Sequence, residues 1–127
     1  MIELSAAGVA FVTEYHLASL STMGPDGRIH VVPVGFTYGD GLARVITSGP
    51  SQKVRNLRRD ARATLSQVDG AGWITFAGTA RILDDPESVA LAVELYAARY
   101  RQPRVNPLRV AIVIDVETVM ASAGLLA

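Results

Sequence analysis

A chain of 127 residues, half of them hydrophobic and with mean hydropathy +0.28, is long enough for one real core and too short for two independent ones. The absence of cysteine excludes disulfides, thiolate nucleophiles and cysteine-held clusters, and two histidines without ligand spacing leave no metal site to expect. Twelve basic residues balance twelve acidic ones, so attraction to anions must come from local clusters, while so apolar a composition leaves surface for a second copy of the chain.

No run is long enough to span a membrane, and "MIELSAAGVAFVTEYH" carries an early glutamate and no basic region, which points to a cytoplasmic protein with neither signal peptide nor anchor. Ser5 is placed to cap a first helix running to about His16, with Ala7, Ala10, Phe11 and Glu14 spaced as on an amphipathic surface. Leu17 to Met23 reads as a strand, "GPDGR" as a turn, and Ile29 to Tyr38 as the returning strand of a hairpin. "GDG" turns the chain into a third strand, Leu42 to Thr47, and a basic helix follows from Ser51. Arg62 to Asp69 and Trp73 to Leu83 are the fourth and fifth strands. Asp85 and Pro86 start a helix whose apolar stripe runs through Val89, Ala92, Val93, Tyr96 and Tyr100. "RQPRVNP" ends it, and Leu108 to Ala121 is a long last strand.

Six strands joined mostly by tight turns, with helices between the third and fourth and between the fifth and sixth, predict an α+β domain that is mainly β, an antiparallel barrel whose closure removes exposed edges. Pro33 and Gly35 interrupt the second strand, which is therefore expected to be bulged or exposed along one edge. Barrel curvature and a flat ligand against bare backbone explain this equally well.

Lys53 is the only lysine in the chain. With Ser51 at the N-cap it falls in a helix's first turn, where the dipole disfavours a cation unless an anion is bound. The hydroxyls of Thr47, Ser48 and Ser51, Gly49 for close approach, free backbone N–H groups and the Lys53 ammonium form a candidate phosphate cradle. At ~100° per residue Val54, Leu57 and Ala61 form the buried stripe and Lys53 shares a flank with Asn56. A solvated basic helix face is the commoner meaning of such a run. In "RYRQPRVNPLR" the arginines 99, 101, 104 and 109, with Tyr96 and Tyr100 nearby, suit carboxylates, phosphates or a stacked ring, or simply stabilise a helix C-terminus. Motifs for nucleophilic, phosphate-loop or zinc chemistry are absent, so an enzyme built on this chain needs a cofactor to carry the reaction.

"HVVPVGFTY", "RVITSGPSQKVRNLRRD", "LSQVDGAGWITFAGTARI" and "RYRQPRVNPLRVAIVI" together resemble the split β-barrel flavin and deazaflavin oxidoreductases, the pyridoxamine 5′-phosphate oxidase-like group. Within it they are most similar to the branch using coenzyme F420, the F420-dependent biliverdin reductases. The resemblance spans nearly the whole chain and implies one split-barrel domain over residues 1–127, paired in a homodimer with two coenzymes in grooves at the interface. It implies Lys53 and Asn56, with Thr47, Ser48 and Ser51, at the coenzyme phosphate. His30, Val31, Val32, Pro33 and Gly35 would lie beside the ring, Gln67 near the same groove, and Trp73, Arg104 and Arg109 within reach across the interface. The implied activity is hydride transfer from reduced deazaflavin to a conjugated small molecule, with biliverdin a candidate, the proton coming from solvent, Arg28 or His30. FMN in place of F420, and an F420-binding protein without turnover, are the alternatives; a nucleic-acid binder is disfavoured by zero net charge and the lack of a stacking motif.

Overall fold

The computed structural model describes residues 2–127. In chain order its elements are α1 (Ala6–Thr13), β1 (Ala18–Met23), β2 (Ile29–Val34), β3 (Thr37–Gly39), β4 (Leu42–Ser48), α2 (Gln52–Arg59), β5 (Arg62–Asp69), β6 (Gly72–Leu83), α3 (Pro86–Arg99) and β7 (Arg109–Ala121). The strands form one seven-stranded sheet in the order β2-β1-β5-β6-β7-β4-β3, antiparallel at every junction.

Local sequence accounts for most boundaries. Ser5 Oγ accepts from Gly8 N–H at the start of α1, and Asp85 caps α3 through Ser88 N–H ahead of Pro86. The two-residue turn between β3 and β4 places Asp40 and Gly41 at φ 53° and 77°, the left-handed pair that a tight hairpin of matching twist requires. α1 stops at Thr13, short of the expected His16, because Glu14 is already extended.

Two expectations are corrected. There are seven strands rather than six, because Ile29 to Tyr38 is broken at Gly35 and Phe36 into β2 and β3. Nor does the hydrogen-bonded ladder close, since β2 and β3 are the two edges of the sheet. Only Gly35 and Phe36 separate them, so the edges must come within roughly 11 Å of each other, and the sheet curls into a split barrel. Pro33 sits on an edge strand, where its missing N–H costs no ladder bond. β1 and β2 pair without a bulge; the register shift falls instead between Ala77 and Gly78, against β7. There a side chain at 78 would collide with the Asp115 carbonyl.

Leu20, Phe36, Val45, Leu65, Ile74, Phe76, Ile112 and Ile114 fill the curl, each at most 1 % exposed, and Tyr38 stacks on Phe76 with ring centroids 4.4 Å apart. α2 lies at one end of the curl, where Asn56 reaches Thr22, and α1 at the other, where Gln67 reaches the Phe11 carbonyl. α3 covers part of the outer face, packing Ala92 on Ala111 and Val113.

The end of α3 holds the crossing between the edges. Tyr100 Oη accepts from Phe36 N–H at 3.1 Å and donates to the His16 carbonyl at 2.6 Å. Arg99 donates to the carbonyls of Phe36 at 2.6 Å and Glu14 at 3.0 Å and to Gln67 Oε1 at 2.8 Å, and its guanidinium lies 4.6 Å from the centre of the Phe36 ring. Burial pushes the Tyr100 phenol above its ordinary value, which keeps it neutral and able to donate. The Tyr100→Phe variant should therefore lose about 1–3 kcal/mol of stability in urea titrations with an unchanged m-value, since the His16 carbonyl and the Phe36 N–H lose their partner.

Candidate functional site

Where β2 swings away from β4 the split opens into a groove of about 270 Å³. Pro33, Val34 and Gly35 line one side, and Ile46, Thr47 and Ser48 of β4 the other. Lys53 of α2 stands at one end, and Tyr96 of α3, Pro103, Asn106 and Arg109 build the outer wall.

The polar half of this groove is made of donors. Among the described residues neither Lys53 nor Arg109 has a carboxylate partner; the ion pairs are Arg28 with Asp26, Arg62 with Asp60, and Arg81 with Asp115. Ser51 occupies the N-cap of α2 with extended backbone, but its hydroxyl makes no capping bond and instead faces Thr47 Oγ1 at 3.5 Å. The first turn of α2 holds no acidic residue, so its backbone N–H groups and the positive end of its dipole lie beside the lysine uncompensated. Burial pushes the Lys53 ammonium below its ordinary value. Ser48 Oγ accepts from Asn106 Nδ2 at 2.8 Å. The other half is apolar: Pro33, Val34, Ile46, Tyr96 and Pro103.

Of the residues singled out from the sequence, Pro33, Gly35, Thr47, Ser48, Lys53 and Arg109 meet in the groove, with Ser51 beside Thr47. The glycine at 35 has a packing reason of its own: a Cβ there would stand 2.8 Å from Tyr96 Cε2 and 3.0 Å from Tyr100 Cε2. Asn56 lies outside the groove, fully buried, donating to Thr22 Oγ1 at 3.1 Å and accepting from Gln52 Nε2 at 2.8 Å. Gln67 is also buried elsewhere, held by Arg99 and the Phe11 carbonyl. Val31 and Trp73 are exposed on strand surfaces, Val32 packs against the core, and Arg104 offers its carbonyl to Arg109 Nη2 at 2.5 Å. His30 pairs across the strands with Thr22, and its Nδ1 is buried without a partner. Arg28 is exposed at the hairpin tip, 3.5 Å from Asp26. Val34, Ile46, Pro103 and Asn106 were not foreseen; the Asn-Pro step at 106 and 107 is a turn signal that marks a loop anchor, but nothing local says what the loop covers.

A split antiparallel barrel with an anion-ready groove in its split defines a class of protein, and the comparisons agree with it. Residues 4–122 match the pyridoxamine 5′-phosphate oxidase family, and the chain belongs to that family. It is 49% identical over 125 residues to the F420H(2)-dependent biliverdin reductase of Mycobacterium tuberculosis (strain CDC 1551 / Oshkosh), covering 97% of this chain and 91% of that protein. A crystal structure of a conserved hypothetical protein from Mycobacterium tuberculosis superposes with a TM-score of 0.81 at 28% identity, over 94% of this chain and 85% of the other. A structure described as an F420 reductase shares the fold at 23% identity, with a TM-score of 0.74 over 87% of this chain and 94% of that one.

A depressed lysine has a defined stability signature. The unfolded chain holds the Lys53 proton to higher pH than the fold does, so this group adds stability as pH rises through the alkaline window just below the ordinary lysine value. Lys53→Met should flatten that rise and leave the ligand-free protein no less stable at pH 8, as read by urea unfolding at pH 8 and pH 10.

Proposed function

We propose that the protein is an F420-dependent reductase that acts as a homodimer on a conjugated small molecule, with biliverdin the candidate substrate. The observation that carries this reading is the groove in the barrel split, with hydroxyls and two cations that lack a carboxylate partner at one end and an apolar wall at the other. That division suits a coenzyme with an anionic phosphate and a flat ring, and the 49% identical relative is named for the use of F420H(2). Lys53, Arg109, Thr47 and Ser48 would hold the phosphate, and Pro33, Val34 and Tyr96 would flank the ring. Bound there, reduced F420 supplies a hydride, which no side chain of this chain can donate. The protein's own part is to orient the coenzyme, compensate its charge and exclude water along the Tyr96 and Pro103 wall.

Two features support the homodimer. The groove of about 270 Å³ lies at the lower end of the roughly 300–1,000 Å³ usual for a small-molecule site, as expected of a site that a second chain helps to build. The outer sheet face that α3 leaves bare carries no charge across two successive rows. One row runs Pro33, Ser19, Ser66, Thr75, Met120, and the next Val31, Ser21, Thr64, Ala77, Thr118. Val31 and Met120 there are 56% and 58% exposed, on a face suited to a partner of the same kind.

The wild-type protein should bind F420 in a fluorescence titration and oxidise the reduced coenzyme when biliverdin is added. Lys53→Ala should weaken F420 binding by about 1.5–3 kcal/mol, one to two decades. Binding without turnover would reduce the protein to a coenzyme carrier, and preference for FMN would move it to the flavin branch. Sedimentation should show a dimer at micromolar concentration. Val31→Glu, which places a carboxylate on the bare face, should give a folded monomer with weakened coenzyme binding; a dimer unaffected by this change would place the interface elsewhere.

A further inference from the structure

From Tyr100 to Leu108 the chain runs without helix or strand, and this loop brings Pro103 and Asn106 to the groove. Its main side-chain anchor is Asn106. Asn106 uses both polar ends of its side chain: Nδ2 donates to Ser48 Oγ at 2.8 Å and Oδ1 accepts from Leu108 N–H at 3.0 Å. Its own carbonyl accepts from Arg109 N–H at 3.1 Å, while Gly49 N–H donates to the Leu108 carbonyl at 2.8 Å. The last turn of the loop is thereby tied to the end of β4, and Arg109 is delivered to the groove at a set position.

The direction of one of these bonds has a chemical consequence. An amide N–H that donates to a hydroxyl oxygen occupies one of its lone pairs and leaves the hydroxyl's own proton to be donated elsewhere. Ser48 donates to no other group among the described residues, and it lines the groove, so its O–H is available to a ligand there. A carboxylate at position 106 would do the reverse: it can only accept, and it would draw the Ser48 proton away from the groove. The sense of the Asn106 to Ser48 bond thus decides whether this hydroxyl greets an anion as a donor or presents it with lone pairs.

We infer that Asn106 is a positioning residue that sets the polarity of the groove's anion end by holding Ser48 as a donor toward the ligand phosphate. This rests on the coenzyme reading of the groove. Asn106 acts through Ser48, so the two are coupled: once the hydroxyl is gone, the amide has little left to orient.

A double-mutant cycle with F420 and, in parallel, FMN as probes tests this, with the thermal midpoint of each ligand-free variant measured alongside. Ser48→Ala and Asn106→Ala should each weaken binding about tenfold, and the double variant should be little worse than either single one, instead of the roughly hundredfold loss of independent effects. Multiplicative losses would show that Asn106 merely shapes the loop, and would overturn the inference while leaving the coenzyme reading intact. Asn106→Asp guards against a folding defect, because it keeps an acceptor for Leu108 N–H. It should retain the wild-type midpoint and bind at least about a hundredfold more weakly, combining a lost donor with a new like charge. Wild-type affinity in that variant would overturn the inference. Failure of the wild-type protein to bind either coenzyme would overturn the underlying reading, and this inference with it.

Discussion

The crossing at Gly35 and Phe36 is the constraint on which the remaining architecture depends. Two residues carry the chain from one edge of the sheet to the other, so the sheet has to curl, and the crossing has to be held where no ladder hydrogen bonds can hold it. Arg99 and Tyr100 do this from the end of α3. An arginine suits the position because a planar guanidinium can direct several donors at once to oxygens from different elements and still stack on an aromatic face. The same two residues fasten Glu14, His16 and Gln67, so the end of α1 and the end of β5 are fixed by the contact that fixes the crossing. Because β2 is held away from β4, there is a split, and the groove is that split.

The groove is electrostatically incomplete in the free chain. Lys53 is partly desolvated without a carboxylate, Ser51 leaves its helix uncapped, and the uncompensated end of α2 has a lysine placed against its dipole. Each of these costs the free fold something, and one ligand anion would relieve all of them together. Sites that bind by completing an unfinished charge arrangement are expected to carry such locally unfavourable features, tolerated because the core supplies the stability.

The sheet divides its faces between three tasks. The inner face is a continuous apolar core closed by α1 and α2. Part of the outer face is dry under α3, through Ala92 on Ala111 and Val113. Two rows of the rest, across β2, β1, β5 and β6, are hydroxyl-bearing and apolar without charge, and they continue to Pro33 at the lip of the groove. The bulge at Ala77 and Gly78 re-phases β7 so that Thr118 and Met120 join this face while Asp115 stays with the charged rim beyond it.

Several features could be read directly from the chain because their causes are local. Ser5, Asp85 and Pro86 act within one turn of themselves, the turn at Asp40 and Gly41 needs only its own backbone angles, and the anomaly of Lys53 in a first turn needs only its neighbours. The resemblance carried by the longer segments added the family, which the match over residues 4–122 bears out. What the sequence could not decide were matters settled by distant partners. Ile29 to Tyr38 reads as one strand with an interruption at Pro33 and Gly35, because nothing inside it reveals that Arg99 and Tyr100 will seize its middle and divide it in two. Helical spacing sets the angle of Asn56 about the α2 axis, but only the packing of that helix on Thr22 made it a buried structural amide. Gln67 was claimed by Arg99 in the same way, and Asn106 acquired its place only when the loop before β7 closed over Ser48. Periodicity and capping report on the chain within a few residues, whereas hydrogen-bond partners across the sheet are chosen by the curl, which exists only once all seven strands are assembled.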